Sequence, residues 1–168
     1  MATIQLKGNP IHTKGELPFV GSMAPSFELV KTDLSALTLS DLKGKRILLN
    51  IFPSLDTEVC AASVRRFNEA ASGIENAVVV CVSRDLPFAH GRFCSTEGIK
   101  DVVNASDFRD GSFGDAYGLT ILDGPLAGLH SRAVVVLNEA GEVVYREQVP
   151  DIVQEPDYEA ALTALKKK

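Results

Sequence analysis

The chain has 168 residues, of which 45% are hydrophobic and 23% charged, and it carries a formal net charge of −5. That length fits one compact domain over residues 1–168, since chains of this size bury roughly two-thirds of the surface their unfolded form exposes. The acidic balance offers no basic field to nucleic acid or anionic lipid, and no stretch approaches the roughly 20 unbroken apolar residues of a membrane span. Residues 1–9 lack the charged-then-apolar layout of a secretory signal, so a cytoplasmic location is expected.

In chain order, residues 3–6 and 10–13 flank Lys7-Gly8-Asn9 and read as a hairpin. With the Pro- and Gly-punctuated stretch to residue 24, the hairpin forms an extension to a main fold that begins near Phe27. Residues 46–52, 77–82 and 133–137 are compact, largely apolar runs of the kind buried on both faces, which places them as central strands. Helical patterns at 58–72, 86–97 and 111–117 alternate with strands, as in crossover units. Asn138-Glu139-Ala140-Gly141 is a turn between residues 133–137 and 142–149, so that pair is an antiparallel hairpin and the sheet is mixed. A last helix starts at Pro156, buries Tyr158, Ala161, Leu162 and Leu165 on one stripe, and ends in Lys166–Lys168 at the negative end of its dipole. The expected class is α/β, a mixed central sheet flanked by helices.

Three cysteines, Cys60, Cys81 and Cys94, are an odd set that argues against a structural disulfide framework. Cys60 follows an apolar strand and a loop opening at Pro53, at the mouth of the 58–72 helix. Positions 60, 64, 67 and 71 hold Cys, Val, Phe and Ala, one inward stripe, so the thiol faces inward in the first turn. First-turn amides lack intrahelical partners and carry the positive end of the dipole, which favours a thiolate. Thr57, three residues earlier, can bring a hydroxyl beside the sulfur or act as a plain N-cap. The plainer reading of Cys60 is a small buried hydrophobe, which a helix entrance after a Pro-containing loop makes less apt.

Cys81 lies inside the 77–82 strand and reads as a core thiol. Cys94 lies 34 positions after Cys60 in the 86–97 helix, a spacing that excludes a CxxC dithiol. By spacing alone it reads equally as a helix cysteine packed beside Phe93. No cysteine or histidine grouping matches a zinc site: His90 and Cys94 share a helix face only as a pair, and His12 and His130 read as solvated loop residues. No metal and no cofactor is expected.

PxxxTxxC, filled by Pro53, Thr57 and Cys60, resembles the active-site signature of the peroxiredoxins. Asn50-Ile51-Phe52-Pro53-Ser54, Val59-Cys60-Ala61-Ala62-Ser63-Val64-Arg65, Asp85-Leu86-Pro87-Phe88-Ala89 with Arg92-Phe93-Cys94, Asp123-Gly124-Pro125-Leu126, Arg132-Ala133-Val134-Val135-Val136 and Glu155-Pro156-Asp157-Tyr158 are similar to the bacterial thiol peroxidase subfamily. The resemblance spans nearly the whole chain. It implies a thioredoxin-like fold with an N-terminal hairpin, a homodimer, and reduction of hydroperoxides with electrons from thioredoxin. It further implies that Cys60 is the peroxidatic cysteine and Cys94 the resolving one, joined in an intramolecular disulfide during turnover. Thr57, the first amides of the helix and Arg132 would stabilise the peroxide oxygens, with Pro53 shielding the sulfur. Without the resemblance, Arg132 reads as a strand-end surface charge. For two helical cysteines to bond, their Cα atoms must come within about 7 Å, so the Cys94 helix is expected to unwind or shift, aided by Gly91 and Gly98.

Thiolate supply alone does not account for such chemistry. A thiol of pKa near 8.5 is about 3% ionised at pH 7, so lowering its pKa to ~6 gains only about 30-fold. Nucleophilicity falls along with pKa, so donors must also stabilise the oxygens as the O–O bond breaks. Two other classes share the reactive cysteine. A cysteine hydrolase or acyl-transfer enzyme requires His90 or His130 within reach of Cys60, and a redox sensor uses the same disulfide to change a binding surface.

Overall fold

The computed structural model describes residues 1–167; Lys168, the last of the expected terminal lysines, lies outside the described residues. Among the described residues nine strands form two sheets. The hairpin pairs β1 (Thr3–Leu6) with β2 (Asn9–His12). The main sheet holds β3 (Glu28–Lys31), β4 (Ala36–Thr38), β5 (Arg46–Ile51), β6 (Ala77–Ser83), β7 (Val103–Ser106), β8 (Ala133–Leu137) and β9 (Val143–Gln148). Its order is β4-β3-β7-β6-β5-β8-β9, with β5-β6 and β6-β7 parallel and the other pairs antiparallel. The four α-helices are α1 (Glu58–Ala71), α2 (Pro87–Glu97), α3 (Ser112–Ala116) and α4 (Tyr158–Lys166).

β5 is central because all six of its residues are buried. Its side chains alternate between two apolar layers, as the pleat requires. Ile47, Leu49 and Ile51 join Phe27, Leu29, Phe113 and Tyr117 on one face. Leu48 and Phe52 join Cys60, Val64 and Phe67 of α1 and Ala161, Leu162 and Leu165 of α4 on the other. The inward stripe of α1 is therefore packed as its spacing predicts. No helix among the described residues is long and apolar enough to cross a membrane.

Two departures from the sequence reading matter for the site. β3, β4 and β7 are strands with no long apolar run, and β7 buries Asn104 and Ser106 among its four residues. Ser106 donates to the Asp85 carbonyl and Asn104 Nδ2 meets His90 Nδ1, while Asn104 Oδ1 has no partner among the described residues. The last helix is capped by Asp157, whose carboxylate accepts from the Ala160 amide at 3.0 Å, so it begins at Tyr158, two residues after Pro156.

The N-terminal hairpin is also more than an extension. The Gln5 amide donates to the Pro150 carbonyl at 2.8 Å, the Ile152 amide donates to the Gln5 carbonyl at 2.9 Å, and Asp151 accepts from the amides of Lys7 and Gly8. Ile4 and Ile11 form a small apolar cluster with Ile121 and Ile152. The hairpin thereby fixes the backbone at Ile152, and that backbone carries a contact of the site.

Candidate active site

β5 ends at Ile51, the Phe52 amide donates to the Val82 carbonyl, and the chain turns through residues 53–57 into α1. Cys60 sits in the first turn of α1 and is completely buried. Because β8 runs antiparallel to β5 with Ala133 opposite Ile51, the residue before β8 falls beside the end of β5. That residue is Arg132. It is 2% exposed, far from the strand-end surface charge that local reading alone describes.

The Arg132 guanidinium makes two hydrogen bonds and leaves one nitrogen unpartnered among the described residues. Its Nη2 donates to Cys60 Sγ at 3.1 Å, and its Nε donates to the Ile152 carbonyl at 2.7 Å. Its Nη1 is buried without a partner among the described residues. An unsatisfied buried donor costs roughly 1–3 kcal/mol, and here it lies on a permanent cation bonded to a thiol. The arrangement supplies a ready hydrogen-bond donor for an oxygen that approaches the sulfur.

Thr57 occupies the N-cap position, yet its hydroxyl caps nothing and makes no bond to the sulfur. It donates instead to the Ser54 carbonyl at 3.0 Å, which tightens the loop. Pro53 is buried in the same loop. Cys94 lies on α2, half-buried, and packs with Phe93 against the apolar layer that contains Cys60. All three thiols are free. Burial pushes the Cys94 pKa up, and it pushes fully buried Cys81 up to about 12, as suits an inert core thiol. Among the described residues no group of three or more His, Cys, Asp or Glu side chains is placed to hold a metal ion.

A thiol at a helix start is thus hydrogen-bonded to a buried arginine at the entrance of the neighbouring strand. The family model described as Redoxin matches residues 19–162. The chain belongs to the Redoxin family. A thiol peroxidase of Mycobacterium tuberculosis is 58% identical over 165 residues, which cover 98% of this chain and 99% of the relative. Among solved structures, a peroxiredoxin-like protein from Aquifex aeolicus is 38% identical with a TM-score of 0.94 over 99% of this chain and 96% of its own. A thiol peroxidase from Chromobacterium violaceum, at 23% identity, shares the fold with a TM-score of 0.86 over 97% of this chain and 94% of its own. Within the family, this Redoxin is a peroxiredoxin of the thiol peroxidase kind with a thioredoxin-like fold, and an enzyme of the peroxidase class.

The histidines of this peroxiredoxin correct the sequence reading. His130 is completely buried rather than solvated. The loop that carries it folds back through bonds between Ile121 and Leu129 and between Gly128 and Ile121, which brings His130 Nε2 to 2.9 Å from Asp107 Oδ2. His12 is half-exposed and pairs with Asp123 at 2.7 Å. His90 is buried, with Nε2 at 3.0 Å from Ser83 Oγ and Nδ1 at 3.1 Å from Asn104 Nδ2. Neither His90 nor His130 bonds to Cys60, so the cysteine–histidine pair that a hydrolase needs is not formed.

His90 also makes stability pH-dependent. Burial lowers its pKa to about 4 from the ordinary 6.5, against a weaker pull upward from Asp85. The unfolded chain takes up a proton below about 6.5 and the native chain only near 4, so stability is full above 6.5 and falls as pH drops toward 4. The loss is on the order of 3 kcal/mol. Thermal midpoints recorded from pH 7 to pH 4 should show this acid slope in the native protein and a shallower one in His90→Gln. Equal slopes would show that His90 is not held neutral by the fold.

Proposed function

We propose that this peroxiredoxin, working as a single domain of residues 1–168, reduces hydrogen peroxide and organic hydroperoxides at Cys60 and draws its electrons from thioredoxin. The observation that carries the reading is the buried Arg132, bonded to Cys60 Sγ through Nη2 while Nη1 stays free. The Cys60 thiolate attacks the terminal peroxide oxygen, the O–O bond breaks, and the leaving oxygen takes a proton and departs as water or alcohol. Sulfur is oxidised to the sulfenic acid and the peroxide is reduced by two electrons. Negative charge builds on both oxygens as the bond lengthens, and the Arg132 guanidinium with the first amides of α1 supplies donors there. Pro53 keeps water from the sulfur, and Thr57 can turn its hydroxyl from Ser54 toward the peroxide.

The Cys94 thiolate then attacks the sulfenic sulfur, an S–S bond forms, and the sulfenic oxygen leaves as water. Burial in the helix raises the Cys94 pKa and so disfavours its thiolate, a penalty that opening of the helix relieves. Gly91 lies inside α2, where it weakens the helix, Gly98 ends it at φ +66°, and no residue from 91 to 98 is buried, all of which lower the cost of opening. A dithiol of thioredoxin finally reduces the disulfide and restores both thiols. No cofactor enters this cycle. A cytoplasmic homodimer fits the same reading, and sedimentation velocity at micromolar concentration tests the dimer.

The direct test follows consumption of hydrogen peroxide and cumene hydroperoxide with thioredoxin, thioredoxin reductase and NADPH. Peptide mass spectrometry after one equivalent of peroxide should find Cys60 joined to Cys94 and Cys81 free. Cys94→Ser should complete one reduction, accumulate a trappable sulfenic acid, and cycle at least ~100-fold more slowly than the native protein. Sustained cycling by Cys94→Ser would remove Cys94 from the mechanism, and a native protein that leaves peroxide untouched would end the peroxidase reading.

A further inference from the structure

Beside the loop that leads to Cys60 runs a largely buried polar chain that the steps above leave unused. Asp85, between β6 and α2, accepts from Ser54 Oγ at 2.8 Å through Oδ1 and from the Leu55 amide at 2.8 Å through Oδ2. Ser83 Oγ donates to the same Oδ2 and itself accepts from the Asp85 amide. Ser83 meets His90 Nε2, and His90 Nδ1 meets Asn104. Ser106 holds the Asp85 carbonyl from β7. Ser83, His90, Asn104 and Ser106 are all buried.

Burying four polar side chains costs desolvation that an apolar core would avoid, and together they fix Asp85: Ser106 holds its backbone carbonyl, and Ser83, backed by His90 and Asn104, holds its carboxylate. That carboxylate grips Ser54, the hub of the 53–57 loop. Thr57 bonds to the Ser54 carbonyl through both its amide and its hydroxyl, and the Asp56 amide donates to Ser54 Oγ. Pro53 directly precedes the hub. A shift of Asp85 would therefore move Pro53, Thr57 and the entrance of α1 together, and a misplacement of about 1 Å at a reacting centre costs on the order of 100-fold in rate.

We propose that Asp85 is a positioning residue for peroxide reduction: its carboxylate, held by Ser83, which His90 in turn holds, sets Ser54 and Leu55 and through them the loop that presents Cys60. The inference rests on Cys60 being the thiol that attacks peroxide. It separates geometry from thiolate supply, because alkylation by iodoacetamide needs a thiolate but no aligned oxygen acceptor.

The test measures two second-order rate constants of reduced Cys60, with hydrogen peroxide by competition against a haem peroxidase and with iodoacetamide by mass spectrometry. Asp85→Ala should lower the peroxide constant about 30-fold and leave the alkylation constant within about two-fold. Asp85→Asn retains an oxygen for the Leu55 amide and Ser83, so it should recover to within about five-fold of the native peroxide constant with a near-native thermal midpoint. Should the alanine variant fail to fold, Ser54→Ala decides, since it removes the hydroxyl that Asp85 Oδ1 accepts from: a loss confined to the peroxide reaction supports the proposal, and an unchanged peroxide constant overturns it. A folded Asp85→Ala with the native peroxide constant also overturns it, as does a fall of both constants together that asparagine does not relieve. A native Cys60 no faster with peroxide than a free thiol would instead refute the peroxidase reading, which keeps the two failures apart.

Discussion

Cys60→Ser should eliminate hydroperoxide reduction, with residual consumption at least ~10³-fold below the native protein in the thioredoxin-coupled assay. A serine hydroxyl stays protonated at neutral pH and forms no sulfenic acid, so neither the first nor the second step is open to it. The substitution is nearly isosteric and the site is polar on one side, where Arg132 Nη2 would donate to the new hydroxyl as it does to the thiol. Stability should therefore stay near native, and the loss of activity will report chemistry rather than unfolding. The check is peroxide consumption together with a thermal midpoint. A folded Cys60→Ser that consumes peroxide at the native rate would move the reaction to another residue. Fully buried Cys81, with its raised pKa, is a poor candidate for that role.

The second large effect is at Arg132. Arg132→Met should lower the rate of peroxide reduction by about 10²–10³-fold, the range lost when a donor to a developing oxyanion is removed. Arg132→Lys should recover little of it. An ammonium is a compact point charge on a flexible stem, whereas the guanidinium fork reaches the Ile152 carbonyl, Cys60 Sγ and a third direction at once. Methionine fills much of the space but leaves the Ile152 carbonyl without its donor, so stability should drop by about 1–3 kcal/mol. Stopped-flow measurement of the peroxide step, with thermal melts alongside, separates the two consequences. A lysine variant with native rates would show that charge alone suffices and that the fork geometry is incidental.

Much of this molecule was legible in its residues because the relevant information is local. β5, β6 and β8 announce themselves as apolar runs since each is covered on both faces, and the stripe at 60, 64 and 67 follows from helical spacing alone. The motif at Pro53, Thr57 and Cys60 lies within eight residues, so its resemblance to a known signature survives without any knowledge of the fold. β7 was illegible for the opposite reason. Asn104 and Ser106 look like loop residues until His90 and the Asp85 carbonyl, 14 and 21 residues away in sequence, give them partners inside the core.

The same division runs through the site. The sequence by itself determined that a thiol would face inward at the start of a helix, because helix periodicity and unpartnered first-turn amides depend only on near neighbours. Tertiary structure alone decided that Arg132 would be buried against that thiol, 72 residues away, through the antiparallel register that sets Ala133 opposite Ile51. It also decided that Thr57 would bond to Ser54 rather than to the sulfur, and that His130 would leave solvent to pair with Asp107. Each of these outcomes turns on which distant groups the sheet order brings into reach, and a buried polar group takes the partner that the packing places beside it.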